Sequence, residues 1–516
     1  MKNTFLLSLR LIPALLSIVL LSSCREDFEP RLSSGNLEFS RDTVYLDTVF
    51  STIGSSTYSL KVFNRSNDLI SIPRVGLAQG ENSKYRLNVD GLAGKTFENV
   101  EIRAKDSIFI FIEATIDLDQ DKNALLYTDQ LQFESSGNTQ EVALVTLVQD
   151  AIFLFPSRNA SGIKETLEIG TDASGSPISV EGFLLEEEQL RFTNEKPYVI
   201  YGYAGVPSGK TMQIEAGARL HFHENSGIIV ANEGRLLAHG LLSEDQQVLE
   251  REIIFEGDRL EPKYGNVPGQ WNTIWFTPGS TGSLQHTTIK NSQIGILTDG
   301  HSGNTDRNLE LKNVQIYNSS AVGLYAVNAA VAGENLLVGN SGISNLWLRQ
   351  GGNYSFTHST FANYWDQSFR NTPAVQIDNF LETEDELFVA DLEAATFINC
   401  IIYGSASREL ALTSVASATF NFQFQNTLIR FEDTFGDFEG RPNYAFENES
   451  LYQDVLLNSI PDFRNIARND YRIGEGSAAQ TLGNTTGSTQ VPVDLLGVAR
   501  PERSDAGSYQ AIQFEN

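Results

Sequence analysis

The side chains best suited to chemistry lie between positions 220 and 276. His221 and His223 flank Phe222. In an extended strand, residues i and i+2 share a face, so both imidazoles would project the same way. With a third ligand, His239 being the nearest in the chain, such a pair could hold zinc. No cysteine or carboxylate stands at a fixed spacing from them, so hydrogen-bonded, stacked histidines are expected and no metal is assigned. The second group is Asp258, Arg259, Glu261 and Lys263, followed by Trp271 and Trp275. Aromatic faces beside polar groups suit stacking on a sugar ring. A base beside carboxylates that hold a cation is also what eliminative cleavage of a uronate needs. Asp258, Arg259, Trp271 and Trp275 are therefore the candidate glycan-binding residues. Cys400 lies in the apolar run Thr396-Phe397-Ile398-Asn399-Cys400-Ile401-Ile402 and reads as a buried, inert thiol.

The elements that must carry these groups are short strands in a repeating body. Asn313-Val314-Gln315-Ile316-Tyr317-Asn318 lies over Asn335-Leu336-Leu337-Val338-Gly339-Asn340 at a shift of 22, and His358-Ser359-Thr360-Phe361-Ala362-Asn363 follows after 23. Leu324 falls on Leu346 at the same shift of 22. That period is too short for a helix pair and suits three short strands with turns, one coil of a parallel β-helix. Ile289, Ile316, Val338, Phe361, Ile402 and Ile429 would then form one buried stack. Asn291, Asn318, Asn340 and Asn363 would form an amide ladder at a corner. The repeat runs from 196 to 454, with 151–195 as a connector or N-terminal cap and 455–516 as a C-terminal cap. Residues 37–150 alternate apolar and polar in short runs broken by turns such as Asp90-Gly91, which suits an antiparallel sandwich. The fold class expected is all-β.

The chain has 516 residues and a net charge of −28, which repels phosphate backbones and excludes nucleic acid as a partner. It has two cysteines, too few for a disulfide framework or a cysteine-based zinc site once Cys24 is committed elsewhere. The acid excess would suit calcium, yet Leu381 to Glu393 lacks the spacing of a calcium loop. No cofactor is expected.

Lys2 and Arg10 precede the apolar run Leu11 to Leu21, and Leu21-Ser22-Ser23-Cys24 closes it. That run suits a signal peptide and is too short to span a bilayer. The tetrapeptide resembles the lipobox of bacterial lipoproteins. The resemblance implies that residues 1–23 are a signal removed before Cys24, that the Cys24 sulfur carries lipid, and that the protein is anchored to the outer membrane. The acidic stretch Arg25-Glu26-Asp27-Phe28-Glu29 resembles a signal that sends such proteins to the outward face. Residues 24–36 are polar and read as a flexible tether.

Tyr58 to Ile72 resembles the immunoglobulin-like domains of bacterial surface proteins. Phe255-Glu256-Gly257-Asp258-Arg259, Gly269-Gln270-Trp271-Asn272-Thr273-Ile274-Trp275-Phe276 and the ending Asp505-Ala506-Gly507-Ser508-Tyr509 resemble right-handed parallel β-helix lipoproteins of Gram-negative gut and oral bacteria, mostly of unassigned activity. The resemblance implies an immunoglobulin-like sandwich followed by a right-handed parallel β-helix. Asn304-Thr305-Asp306 matches part of a polygalacturonase signature, but Gly300-His301-Ser302 precedes it where the family has the reverse order, so 299–307 reads as a turn insertion.

These features imply a surface-exposed lipoprotein whose β-helix rod binds glycan or another surface polymer without catalysis. The membrane, through the lipid, and a polysaccharide or another surface protein are the partners expected. A polysaccharide lyase or glycoside hydrolase on the same scaffold is the alternative, and a structural or adhesive element is a third.

Overall fold

A computed structural model describes residues 29–117, 124–172, 174–300, 308–383 and 386–514. The signal segment, Cys24, His301, Asn304-Thr305-Asp306, Glu384 and Asp385 lie outside the described residues. The chain divides into two compact units, 1–149 and 150–516. Strand is the dominant element in both, and Thr485–Gln490 is the single α-helix among the described residues.

The first unit pairs a six-stranded sheet with a five-stranded one. Alternation drives it: in Tyr58–Phe63 and Ser107–Ala114, Leu60, Val62, Ile110 and Ile112 face inward and are fully buried while their neighbours stay wetter. Tyr85 crosses the core to Thr146, its hydroxyl 3.0 Å from Oγ1, and burial pushes its pKa up to about 12. The expected tether is shorter than 24–36. Arg31–Leu32 pairs parallel with Ile70 and Ser71, Ser33 is buried, and Arg31 bridges Asp68 at 2.7 Å. Backbone hydrogen bonds to a sheet edge order these residues despite their polarity.

In the second unit, 27 strands join in one continuous sheet that winds through three faces. On the first face Tyr198–Ile200, Arg219–Phe222 and Ile253–Gly257 stack in turn, and 287–290, 314–317, Leu337–Ser341, Thr360–Asn363 and Ile401–Gly404 continue it. Each pairing is parallel, between a strand and its equivalent one coil later. Ile289, Ile316, Val338, Phe361, Ile402 and Ile429 stand in register and are fully buried, as the repeat predicts. Cys400 is buried beside them, and desolvation pushes its thiol up to about 12, which keeps it protonated.

The corners explain the recurring asparagines. His286, Asn313, Asn335, His358, Asn399 and Asn426 all have positive φ, as do Asn291, Asn318 and Asn340 at the far end of the same short strands. Asn tolerates that left-handed region better than most residues. The side chains link coils: Asn335 Nδ2 donates to Asn313 Oδ1 at 2.8 Å, and Asn399 Nδ2 lies 2.9 Å from His358 Nε2. The predicted ladder is only partly direct. Asn318 reaches Asn291 at 3.3 Å, but Asn469 from the C-terminal segment bridges Asn318 and Asn340. Asn363 instead bonds the backbone of Ser341.

Two boundaries differ from expectation. Residues 151–195 already form coil: Ile152–Leu154, Gly182 to Leu184 and Arg191–Phe192 pair parallel with the next three strands. Their hydrophobic runs were short enough to read as connector. Residues 462–512 do not sit over the end of the stack. They lie along the first face, where Tyr471 packs at Gly339, Arg500 donates to Asn335 Oδ1 at 2.7 Å, and Ser508 N donates to Thr360 Oγ1 at 3.0 Å. A Cβ on Gly339 would come 2.5 Å from the Tyr471 ring. The end itself is closed by Phe431, Phe438, Tyr444 and Phe446, which contact one another with ring centroids 4.7–6.4 Å apart and pack on the core. Aromatic side chains seal an open sheet end well because each covers a large area.

One ion pair is wholly inside this body. Arg370 donates to both Glu409 oxygens at 2.7 and 2.9 Å, and the two side chains are 2 % and 0 % exposed. Glu409 also accepts from the Ala374 and Ala406 amides, so it ties adjacent coils together. Removing one partner strands the other charge in a dry site. Glu409→Ala should therefore cost roughly 3–5 kcal/mol, read as a lower denaturant midpoint of the full chain; an unchanged midpoint would show that the pair is not a structural lock.

Candidate functional site

The first face carries the predicted histidines. Because 219–222 is a strand, His221 and His223 share its outer side, and the coil register sets Glu256 on His221 and Asp258 beyond His223. His223 Nδ1 lies 2.7 Å from Asp258 Oδ2, and the Tyr201 ring packs against the imidazole at a tilt, with centroids 4.5 Å apart. The carboxylate raises the His223 pKa above its usual value, with burial opposing the rise. Burial pushes Tyr201 up to about 12, and Asp258 adds to it.

His221 is buried, with Nδ1 3.3 Å from the Gly257 carbonyl and 3.7 Å from Glu256. Burial lowers its pKa, Glu256 opposing, which favours the neutral ring. Glu256 takes the Lys290 ammonium at 2.7 Å. Burial alone would raise that carboxyl, but the charge His221 carries when protonated, together with the Lys290 ammonium and its hydrogen bond, holds it low; with the ring neutral, Lys290 is left to do so. His239 does not join them. It stands on the third face, bonded to Ser283 at 3.0 Å. Among the described residues no cluster of three or more His, Cys, Asp and Glu is placed to hold a metal ion.

The second predicted group separates. Asp258 belongs to the His223 pair. Arg259 lies 3.4 Å from Glu261, with its guanidinium 4.1 Å from the Tyr264 ring centroid. Trp271 is not a surface platform: it is 1 % exposed, stacks on Phe222 at 4.4 Å and donates its Nε1 to the Lys290 carbonyl at 2.9 Å. An isolated tryptophan between turn residues carries no period that would mark it as core. Trp275 faces outward, but on the second face, away from Asp258 and Arg259.

That second face holds what the sequence reading missed. The outward positions Trp275, Leu297, Tyr325, Trp347, Gln376 and Ala411 are successive register partners. The inward row beside them, Ile274, Ile296, Leu324, Leu346 and Val375, is fully buried. Parallel coils rise about 4.8 Å each, so Trp275 and Trp347 are about 14 Å apart along the stack. Tyr325 and Trp347 contact with centroids 5.3 Å apart. Arg349 lies 4.9 Å from the Trp347 ring centroid and donates to the Tyr325 hydroxyl at 3.3 Å. Trp347 Nε1 donates to Asp378 at 3.0 Å, and burial raises the Asp378 carboxyl. Asp299, half-buried on the same face, is raised for the same reason. The shift of 22 that aligns Leu324 with Leu346 also aligns Tyr325 with Trp347, so the signal was present in the repeat.

No family model matches the chain, and no curated protein matches it. Among solved structures, a family 123 glycoside hydrolase from Clostridium perfringens, described for the hydrolysis of glycolipid glycans, aligns at 8 % identity and a TM-score of 0.15. The alignment covers 22 % of this chain and 26 % of that one, so it spans about a quarter of the enzyme. A likeness that slight carries no argument about this site.

The His223 pair has a measurable sign. Its folded pKa lies above the unfolded value, so its contribution to stability is full below about pH 6.5 and is lost as pH rises through the folded value. The imidazole proton resonance of His223 should titrate with a midpoint above that of a free histidine, and Asp258→Asn should lower it. Identical midpoints in the two proteins would contradict the pairing.

Proposed function

We propose that this chain is a lipid-anchored protein of a Gram-negative outer membrane, facing outward, which binds glycan through the second face of its coils and does not cleave it. In this reading the signal ends before Cys24, the first unit is an immunoglobulin-like spacer, and the coils wind as a right-handed β-helix, the hand that parallel crossover connections favour.

The observation that carries the binding role is the column Trp275–Leu297–Tyr325–Trp347. Its positions repeat at the coil step of about 4.8 Å, with rings at Trp275, Tyr325 and Trp347 and an apolar Leu297 between the first two. The Arg349 guanidinium and the Asp299 and Asp378 carboxyls stand beside them to take hydroxyl groups. Rigid aromatic walls with a few fixed polar groups are the usual makings of a saccharide subsite. Lipid on Cys24 would supply the membrane contact; no helix among the described residues is long and apolar enough to cross a bilayer.

One observation favours a catalytic reading instead. The partly exposed His223–Asp258 pair, packed against the Tyr201 ring and close to Glu256 and Lys290, offers groups that could take and return a proton. A single panel of neutral and acidic polysaccharides, scored for both binding and chain cleavage, separates the readings. Binding without cleavage is expected, and Trp347→Ala should weaken it about tenfold or more. Cleavage abolished by His223→Ala would move the assignment to a lyase or hydrolase, and no binding to any member would defeat the glycan reading.

A further inference from the structure

The aromatic column does not stop at Trp347. Its register continues through Gln376 to Ala411, and Ala411 lines a cavity of about 670 Å³ at the closed end of the coils. Asn371, Arg408, Thr413, Arg441, Asn443 and Tyr444 contribute to the same wall. No Asp or Glu is among its lining residues. The adjoining cavity, which shares Phe438, Arg441 and Tyr444, does carry Asp433, Glu439 and Glu447, so the carboxylate-free wall is local to this side of the arginines.

Two guanidiniums converge there. Arg408 lies 4.9 Å and Arg441 4.7 Å from the centroid of the same Phe438 ring. Most basic side chains around the coils have a carboxylate partner, as Arg370, Lys290 and Arg472 do. Arg408 and Arg441 have neither an ion pair nor a side-chain hydrogen bond among the described residues, and both are exposed. The wall behind them is fixed: the Tyr444 hydroxyl accepts from Leu412 N at 2.8 Å, and its ring contacts Phe431 and Phe438. Phe438 orients both cations without neutralising either. A planar, unpaired fork beside neutral amides and hydroxyls matches carboxylate or sulfate geometry.

We infer that the Arg408–Arg441 cavity is an anion subsite that takes a carboxylate or sulfate group of an acidic glycan whose chain lies along the Trp275–Trp347 column. The inference rests on the glycan-binding reading of that column and adds the charge class of the ligand. The net charge of −28 would repel a polyanion at long range. Screening beyond about 8 Å at physiological ionic strength leaves the local pair in control. Recognition should therefore be short-ranged, with the arginines rather than the overall charge deciding which glycan binds.

The test uses the full mature chain with three probes: polygalacturonate, dextran sulfate and neutral dextran. At physiological ionic strength, polygalacturonate or dextran sulfate should bind about tenfold or more tighter than neutral dextran. The preferred member of the anionic pair identifies the carboxylate or the sulfate as the group taken. Arg408→Gln with Arg441→Gln should remove that preference and leave the melting temperature and any neutral-dextran binding unchanged, because both side chains are exposed. Trp347→Ala should weaken all binding. Anionic preference that survives the double arginine variant, or neutral dextran bound as well as the anions, would overturn the subsite while leaving the column reading intact. Failure of all three probes, and of the wider polysaccharide panel, would overturn the column reading and the subsite with it.

Discussion

The constraint on which the second unit depends is the parallel register between successive coils. Each strand bonds to its equivalent one coil away, so a residue's place in the repeat decides whether it is core, corner or surface. A one-residue slip would turn Ile289, Ile316 and Val338 outward and bury Lys290 and Tyr317 in their place. The left-handed corners keep that slip from occurring. Asn313, Asn335 and Asn399 hold positive φ at one end of the short strands and pass side-chain hydrogen bonds between coils. Backbone geometry and side-chain bonding thus specify the same register.

That register also makes the surface periodic. Side chains far apart in the chain become a column when they occupy equivalent positions, which is how Trp275, Tyr325 and Trp347 meet on one face. The same rule assembles His221, Glu256 and Lys290 on another. The C-terminal segment divides the first face into two. Tyr471, Arg500 and Ser508 cover its later coils, and the histidine and carboxylate groups remain on the earlier ones. The Asp505 to Tyr509 ending therefore has a physical role: Asp505 braces the strap internally, its Oδ1 taking the Thr481 amide and Oδ2 the Ala511 amide, while Gly507 donates its amide to the Asn399 carbonyl and passes close over Ile401 with φ at +90°. It fastens the strap to the coils.

Electrostatics separates the interior from the candidate surfaces. Inside, charge is either paired or hydrogen-bonded: Arg370 pairs with Glu409, and Arg500 donates to Asn335 and backbone carbonyls. Burial lowers the Arg500 pKa to about 10, still high enough to keep it charged near neutrality. His358 is buried and its pKa is depressed, so the Asn399–His358–Ser504 contact is a neutral hydrogen-bonded joint with no path to solvent. At the surface of the coils the matching is incomplete, and two of the unmatched groups, Arg408 and Arg441, meet over the half-buried Phe438 ring.

The sequence alone determined the class of fold and the position of the core stack, because a 22-residue period and strand alternation are local patterns that survive without knowledge of contacts. It also marked the corner asparagines, since left-handed backbone restricts residue type one position at a time. Tertiary structure decided the rest. Trp271 and Trp275 are four residues apart and looked alike, yet one lies under the Phe222 ring and the other faces outward, because a turn between them changes the face. His221 and His239 looked like neighbours one coil apart, but they occupy different faces. Whether residues 462–512 closed the end or lay along the flank depended on where Gly339 left room for Tyr471. Such outcomes depend on three-dimensional packing between residues distant in the chain, and no local pattern encodes them.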